Sequence, residues 1–245
     1  MNRTALITGA SRGIGAATAA RLGERGYHVI VNYHRSEMAA RAVVKDIESA
    51  GGTAQAVRAD VRDPAEAARL VAAGARLDLL VCNANIAPTF APPSAMSWAD
   101  FSAKVMGELA AVFHVTQRAL ELMREQRSGQ IVYVSSVLAD VTMPSALSQS
   151  TAKAALNTFA RQVAAEAGRH GIAVNTIAPG LVNTDASRAA RTPEHDELLA
   201  ENSVLGRITE PDDVAALITT ITDVGFRAVS GAHILADGGH QLLKT

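Results

Sequence analysis

"TALITGASRGIG", Thr4 to Gly15, sets a short apolar and β-branched run directly against a loop with glycine at 9, 13 and 15. A helical pattern carrying Ala16, Ala17, Ala19 and Leu22 follows at once. A strand that runs through a glycine loop into a helix is the opening of a βαβ unit that holds a nucleotide. Gly9 permits the tight turn, Gly13 lets backbone approach a diphosphate, and Gly15 lets helix and strand close together. The helix amino terminus then offers free N–H groups and a positive dipole end to the phosphates. Ser11, Arg12 and Ile14 belong to the same phosphate-binding loop.

Outward from this unit the alternation continues. Strands are expected at "HVIVNY", "TAQAVRAD", "LDLLVCN", "QIVYVSS", "IAVNTIAP" and "AHILAD", with helices near 13–25, 36–50, 64–73, 97–126, 149–169 and 211–223. Near-continuous apolar strands, each followed by a helix, predict an α/β fold: a doubly wound, Rossmann-type parallel sheet with helices on both faces. Ligands of such sheets gather at the carboxyl ends of the strands. No linker or low-complexity tract divides residues 1–245, so a single domain is expected. The one long irregular segment, 181–206, is polar and reads as a lid over the site.

With 245 residues and 48% hydrophobic composition the chain can bury one large core. Its 23 basic and 24 acidic residues nearly cancel, which gives no long-range attraction to nucleic acid or an anionic membrane. A small-molecule partner is the expectation. The single cysteine, Cys82, lies in an apolar run and reads as a small buried hydrophobe. No apolar run approaches the ~18 residues of a membrane span, and with a strand pattern from Arg3 no cleavable signal is expected. A cytoplasmic protein without a metal site is expected.

The spacing Gly9, Gly13, Gly15 resembles the TGxxxGxG signature of short-chain dehydrogenases/reductases, and the resemblance extends over nearly the whole chain. It implies an adenine contact at Asp60 and Val61, an equivalent of the NNAG motif at Asn83 and Ala84, and the family's serine at Ser136. "APGLVNT", holding Pro179, Gly180, Val182 and Thr184, is similar to the segment that holds the nicotinamide, and "ADGGH" to the closing strand and turn. Cofactor choice is read from charge: NAD enzymes of this type place a carboxylate at the end of the second strand, where this chain has Asn32. Arg12 in the loop, with Arg35 and the Ser36 hydroxyl, suits a 2′-phosphate instead, so NADP(H) is expected.

At the chemical end the pattern breaks. The family pairs a Tyr-x-x-x-Lys motif with a serine about thirteen residues upstream. Tyrosine exchanges a proton with the reacting oxygen, lysine binds the nicotinamide ribose, and serine orients the substrate. Here Lys153 and Ser136 match, but the tyrosine position is Gln149, whose amide has no proton to exchange near neutral pH. A family asparagine that holds a relay water aligns with Glu108, which also lies on an apolar stripe with Val105, Val112 and Ala119. A carboxylate there is costly unless paired, and Lys153 is the expected partner. A third departure, Asn85 in place of the motif's glycine, is expected to keep a left-handed turn and project its amide toward the nicotinamide. Tyr133, three residues before Ser136, is expected to pack against a helix.

The opening "MNRTALITGASRGIG", the segment "VNYHRSEMAARAVVKDIESAGGTAQAVRADVRDP" and the ending "GRITEPDDVAALI" resemble the 3-oxoacyl-carrier-protein reductases most closely. This implies NADPH-dependent reduction of a β-keto acyl substrate, carrier-bound or thioester-linked, with Ser136, Gln149, Lys153 and Glu108 as the acting groups. Two other functions fit the same residues. One is a catalytically silent NADP-binding subunit of a hetero-oligomer. The other is a non-redox dehydratase, cyclase or isomerase working through Glu108 and Lys153. The resemblance further implies a homodimer or homotetramer built on the helices near 97–126 and 149–169.

Overall fold

The computed structural model describes residues 3–243 apart from 190, 224, 225 and 227. Its strands are β1 (Thr4–Ile7), β2 (His28–Tyr33), β3 (Thr53–Arg58), β4 (Leu79–Cys82), β5 (Gly129–Val134), β6 (Ile172–Pro179) and β7 (His233–Ala236). They form one sheet in the order β3-β2-β1-β4-β5-β6-β7, and every neighbouring pair is parallel. The strand order reverses between β1 and β4, which opens a crevice at their carboxyl ends.

Alternate residues of each strand feed two separate cores. Leu6, Leu80, Ile131 and Tyr133 face α4 (Trp98–Gln126) and α5 (Leu147–Ala167). Ile7, Val81, Val132 and Val134 face α1 (Gly13–Glu24) and α8 (Pro211–Thr220). The period-2 alternation of a strand accounts for this division, and burial on both faces accounts for the unbroken apolar runs. Helices α2 (Glu37–Ser49) and α3 (Pro64–Val71) complete the two layers.

Three expectations need correction. The 181–206 segment is not irregular throughout, because it holds α6 (Asp185–Arg188) and α7 (Pro193–Glu201). Thr184 caps α6 in a reciprocal pair with Ser187, and Thr192 caps α7 with Pro193 in its first turn. Helix α5 begins at Leu147, one turn-half earlier than its period suggested. Asn85 does not take a left-handed backbone. The non-glycine residues with positive φ among those described are Arg127 and Ser145. Its side chain is used elsewhere, as the site shows.

Candidate active site

The crevice is a cleft of about 870 Å³. Its phosphate end is assembled by interlocking the ends of β1 and β4. The Thr8 hydroxyl oxygen accepts from the backbone N–H groups of Asn83 and Ala84, each at 3.0 Å. The Asn83 amide donates back to the carbonyls of Thr8 and Gly9. Gly9 and Gly13 have φ of +62° and +56°, and a Cβ on Gly9 would lie 2.9 Å from Ala84 Cα. Gly15 lies beneath the loop rather than on the cleft wall, packed against Asn83.

No side chain caps the amino end of α1 and no acid stands in its first turn, so its N–H groups remain open to an anion. Ser11, Arg12, Gly13 and Ile14 line the cleft there. Arg12 donates to Ser36 Oγ at 2.6 Å, and Arg35 lines the same wall. Asn32 is buried beneath it. Its oxygen accepts from Gly9 N–H at 3.1 Å, and its nitrogen donates to the carbonyls of Val57 and Ala59. The amide is spent on the chain itself, so Asn32 anchors the loop instead of offering a free contact. Asp60 and Val61 line the adjoining wall, and a bidentate bond from Arg62 holds the Asp60 carboxyl down to about 2.

At the other end Ser136, Gln149 and Lys153 line the cleft together with Asn83, Ala84 and the run Pro179, Gly180, Val182 and Thr184. Two buried atoms here, Gln149 Oε1 and Ser135 Oγ, have no partner in the chain. Orphaned polar atoms in a cleft wall fit a site that receives a polar ligand. With the open helix end, the arrangement fits a dinucleotide laid from α1 toward β5.

Behind Lys153 lies a buried ionic group. Lys153 Nζ donates to Glu108 Oε1 at 2.5 Å and to the Val134 carbonyl at 2.9 Å. The other oxygen, Oε2, accepts from Lys104 Nζ at 2.6 Å and from Ile86 N–H at 3.2 Å. Glu108 and Lys104 are each 1% exposed, and neither lines the cleft. Burial pushes the Glu108 carboxyl up, but Lys153 and Lys104 outweigh it and hold the group below its ordinary value. Asn85 belongs to this group, since its oxygen accepts from Lys104 at 2.9 Å.

Lys104 was not singled out by the sequence, although one step of four back along the buried stripe of Glu108 reaches it. None of the three tyrosines replaces the missing phenol. Tyr133 is fully buried, bonded to Thr116 at 2.8 Å and set edge-on to Phe159, and burial drives its phenol far up. Tyr33 ends β2, which β1 and β4 separate from β5, and Tyr27 precedes β2 altogether. Cys82 is buried too, its thiol pushed up to about 12.

The switch point in the strand order, with an uncapped helix opening on it, defines an α/β enzyme of the dinucleotide-binding class. The family model described as short chain dehydrogenase matches residues 3–195, and the chain belongs to that family of nicotinamide-dependent oxidoreductases. It is 36% identical over 242 residues to a 3-oxoacyl-[acyl-carrier-protein] reductase of Synechocystis sp., covering 97% of this chain and 96% of the relative. It is 38% identical over 253 residues to versicolorin reductase 1 of Aspergillus parasiticus, covering 97% and 95%. Among solved structures, acetoin dehydrogenase from Enterobacter cloacae superposes with a TM-score of 0.89 at 30% identity, over 100% of this chain and 97% of that one. Among the described residues no helix is long and apolar enough to cross a membrane.

Proposed function

We propose that the chain is an NADPH-dependent reductase of a β-keto acyl thioester or a related ketone, working without a phenol. The observation that carries this reading is the ion pair between Lys153, on the cleft wall, and the buried Glu108. A catalytically silent subunit has no use for a carboxylate taken out of water, which is costly to bury even when paired. Arg12 joined to Ser36, with Arg35 beside them, suits a 2′-phosphate, and Asn32 brings no negative charge against it.

Ser11, Arg12, Gly13, Ile14 and Lys153, which line the cleft, would hold NADPH, and the cofactor would supply hydride to the carbonyl carbon. Ser136, two residues past β5, orients the carbonyl oxygen by donating a hydrogen bond, and the Gln149 amide adds a second. Lys153 spends two N–H groups on Glu108 and Val134 and keeps one for the cleft. It gives the alkoxide its proton, and Glu108 holds it in place. Assembly follows as a homodimer or homotetramer through α4 and α5, since Trp98, Met106 and Phe113 of α4 stand exposed on the surface.

The test is NADPH consumption by the purified chain with a β-keto thioester. Glu108→Gln is expected to lower turnover by about 10²- to 10⁴-fold, the usual worth of a positioned proton donor, while NADPH affinity changes little. Full activity in that variant removes Glu108 from the mechanism, and a chain inert toward every ketone offered removes the reductase reading.

A further inference from the structure

We propose that Lys104 is the far end of a buried relay, Lys104–Glu108–Lys153, that stores the proton a phenol would have carried; the proposal rests on the reductase reading. Lys104 Nζ has all three N–H groups engaged: with Glu108 Oε2 at 2.6 Å, Ile86 carbonyl at 2.8 Å and Asn85 Oδ1 at 2.9 Å. Glu108 therefore stands between two ammonium groups, one on each oxygen. The buried group carries two positive charges against one negative. Surplus charge out of water is costly. Glu108 by itself would suffice to fix Lys153, so a merely positional role leaves the second lysine without a purpose. A proton store, by contrast, needs that surplus.

The groups that face Lys104 are few. Glu108 comes from its own helix and Lys153 from α5, while the loop after β4 presents only the neutral oxygens of Asn85 and Ile86. Near Lys153, the Cys82 thiol of β4 is pushed up by burial and stays neutral. Burial, opposed by Glu108 and aided by Lys153, pushes the Lys104 ammonium down to about 8. Its proton is thus exchangeable under mild conditions.

The transfer balances. Hydride arriving at the carbonyl carbon sends the π pair onto oxygen. Lys153 then gives that oxygen one proton, forming O–H and breaking N–H, and is left neutral. Lys104 passes its proton to Glu108 Oε2. A half-turn of the carboxyl about its Cγ–Cδ bond carries the O–H to the Lys153 nitrogen, which takes it. Lys153 and Glu108 recover their charges, and Lys104 takes a proton from solvent on the side of the exposed Asn85. Lys104 touches neither substrate nor cofactor and acts only through Glu108 and Lys153.

Two measurements on the full chain test this. In cofactor-free protein carrying [15N]lysine, the Lys104 Nζ signal, assigned by its loss in Lys104→Arg, is expected to titrate near pH 8. The midpoint should rise in Lys153→Met, where the repulsion is gone. In NADPH consumption with a β-keto thioester, turnover of the unsubstituted chain should fall off near the same pH. Lys104→Arg keeps a cation that cannot release its proton, so it should lose that limb and about tenfold or more in turnover, at unchanged NADPH affinity. Lys104→Gln reads the same limb where a guanidinium does not fit. A Lys104 that stays charged through pH 10, or an arginine variant with ordinary turnover and profile, overturns the relay alone. No NADPH consumption by the unsubstituted chain overturns the reductase reading beneath it.

Discussion

Gln149 stands where the family keeps its proton donor, and its oxygen is buried without a partner. A site that had merely lost its acid would recover on being given one. If the ionic group behind Lys153 has taken over, a phenol adds nothing and crowds the wall. Gln149→Tyr is therefore expected to leave turnover unchanged or lower, measured against the same thioester; a gain of about 10²-fold or more would show that only the acid was missing. At this scale the meeting of Ser136, Gln149 and Lys153 on one wall was legible because motif spacing fixes their register, and the pairing of Glu108 with Lys153 because a carboxylate on an apolar stripe needs a partner. Lys104 was not. A lysine four residues before a glutamate reads as a solvated surface pair, and only the tertiary packing of α4 turns that pair inward. Asn85 misled for the same reason, since its conformation answers to the Lys104 ammonium and not to a turn.

At the scale of elements, the glycine loop is held by the strand beside it. A Cβ on Gly15 would meet Asn83 Nδ2 at 2.6 Å and the Gly9 carbonyl oxygen at 2.7 Å, and neither is the free end of a flexible chain. Gly15→Ala must push α1 off the end of β4. The expected cost is about 1–3 kcal/mol in urea unfolding, with weakened binding of the nicotinamide cofactor in fluorescence titration. Strand and helix order was legible because both faces of the sheet are buried and the runs stay apolar. The helices α6 and α7 were not, because each is short and polar. Their signals were present nonetheless: Thr184 with Ser187, and Thr192 before Pro193, are helix starts written in capping residues.

For the whole molecule, the pattern of lowered carboxyls predicts where stability fails. The Arg62 bond holds Asp60 at about 2, against 3.8 when free. Bonds from Arg21 and Arg207 lower Asp212 and Asp213 as well. A carboxyl depressed in the folded state contributes stability that is fully present above its unfolded value and is lost as pH falls through the folded one. The thermal midpoint is expected to hold above about pH 4 and to drop toward pH 2. Arg62→Met should flatten part of that decline, measured by calorimetry across the acid range. An acid limb unchanged in the variant would remove Asp60 from the account.

The use the chain makes of Asn32 bears on any attempt to exchange its coenzyme. On the proposed NADPH reading, an acid at this place is the obvious substitution for one who wants NADH accepted. An aspartate keeps the oxygen that receives Gly9 N–H, but it turns a donor into a second acceptor aimed at the carbonyls of Val57 and Ala59. Three oxygens facing one another with no hydrogen between them will open the seam between β2 and β3 before any ribose arrives. Asn32→Asp is thus expected to weaken both coenzymes and lower the melting temperature, whereas redesign begun at Arg12 leaves that seam closed.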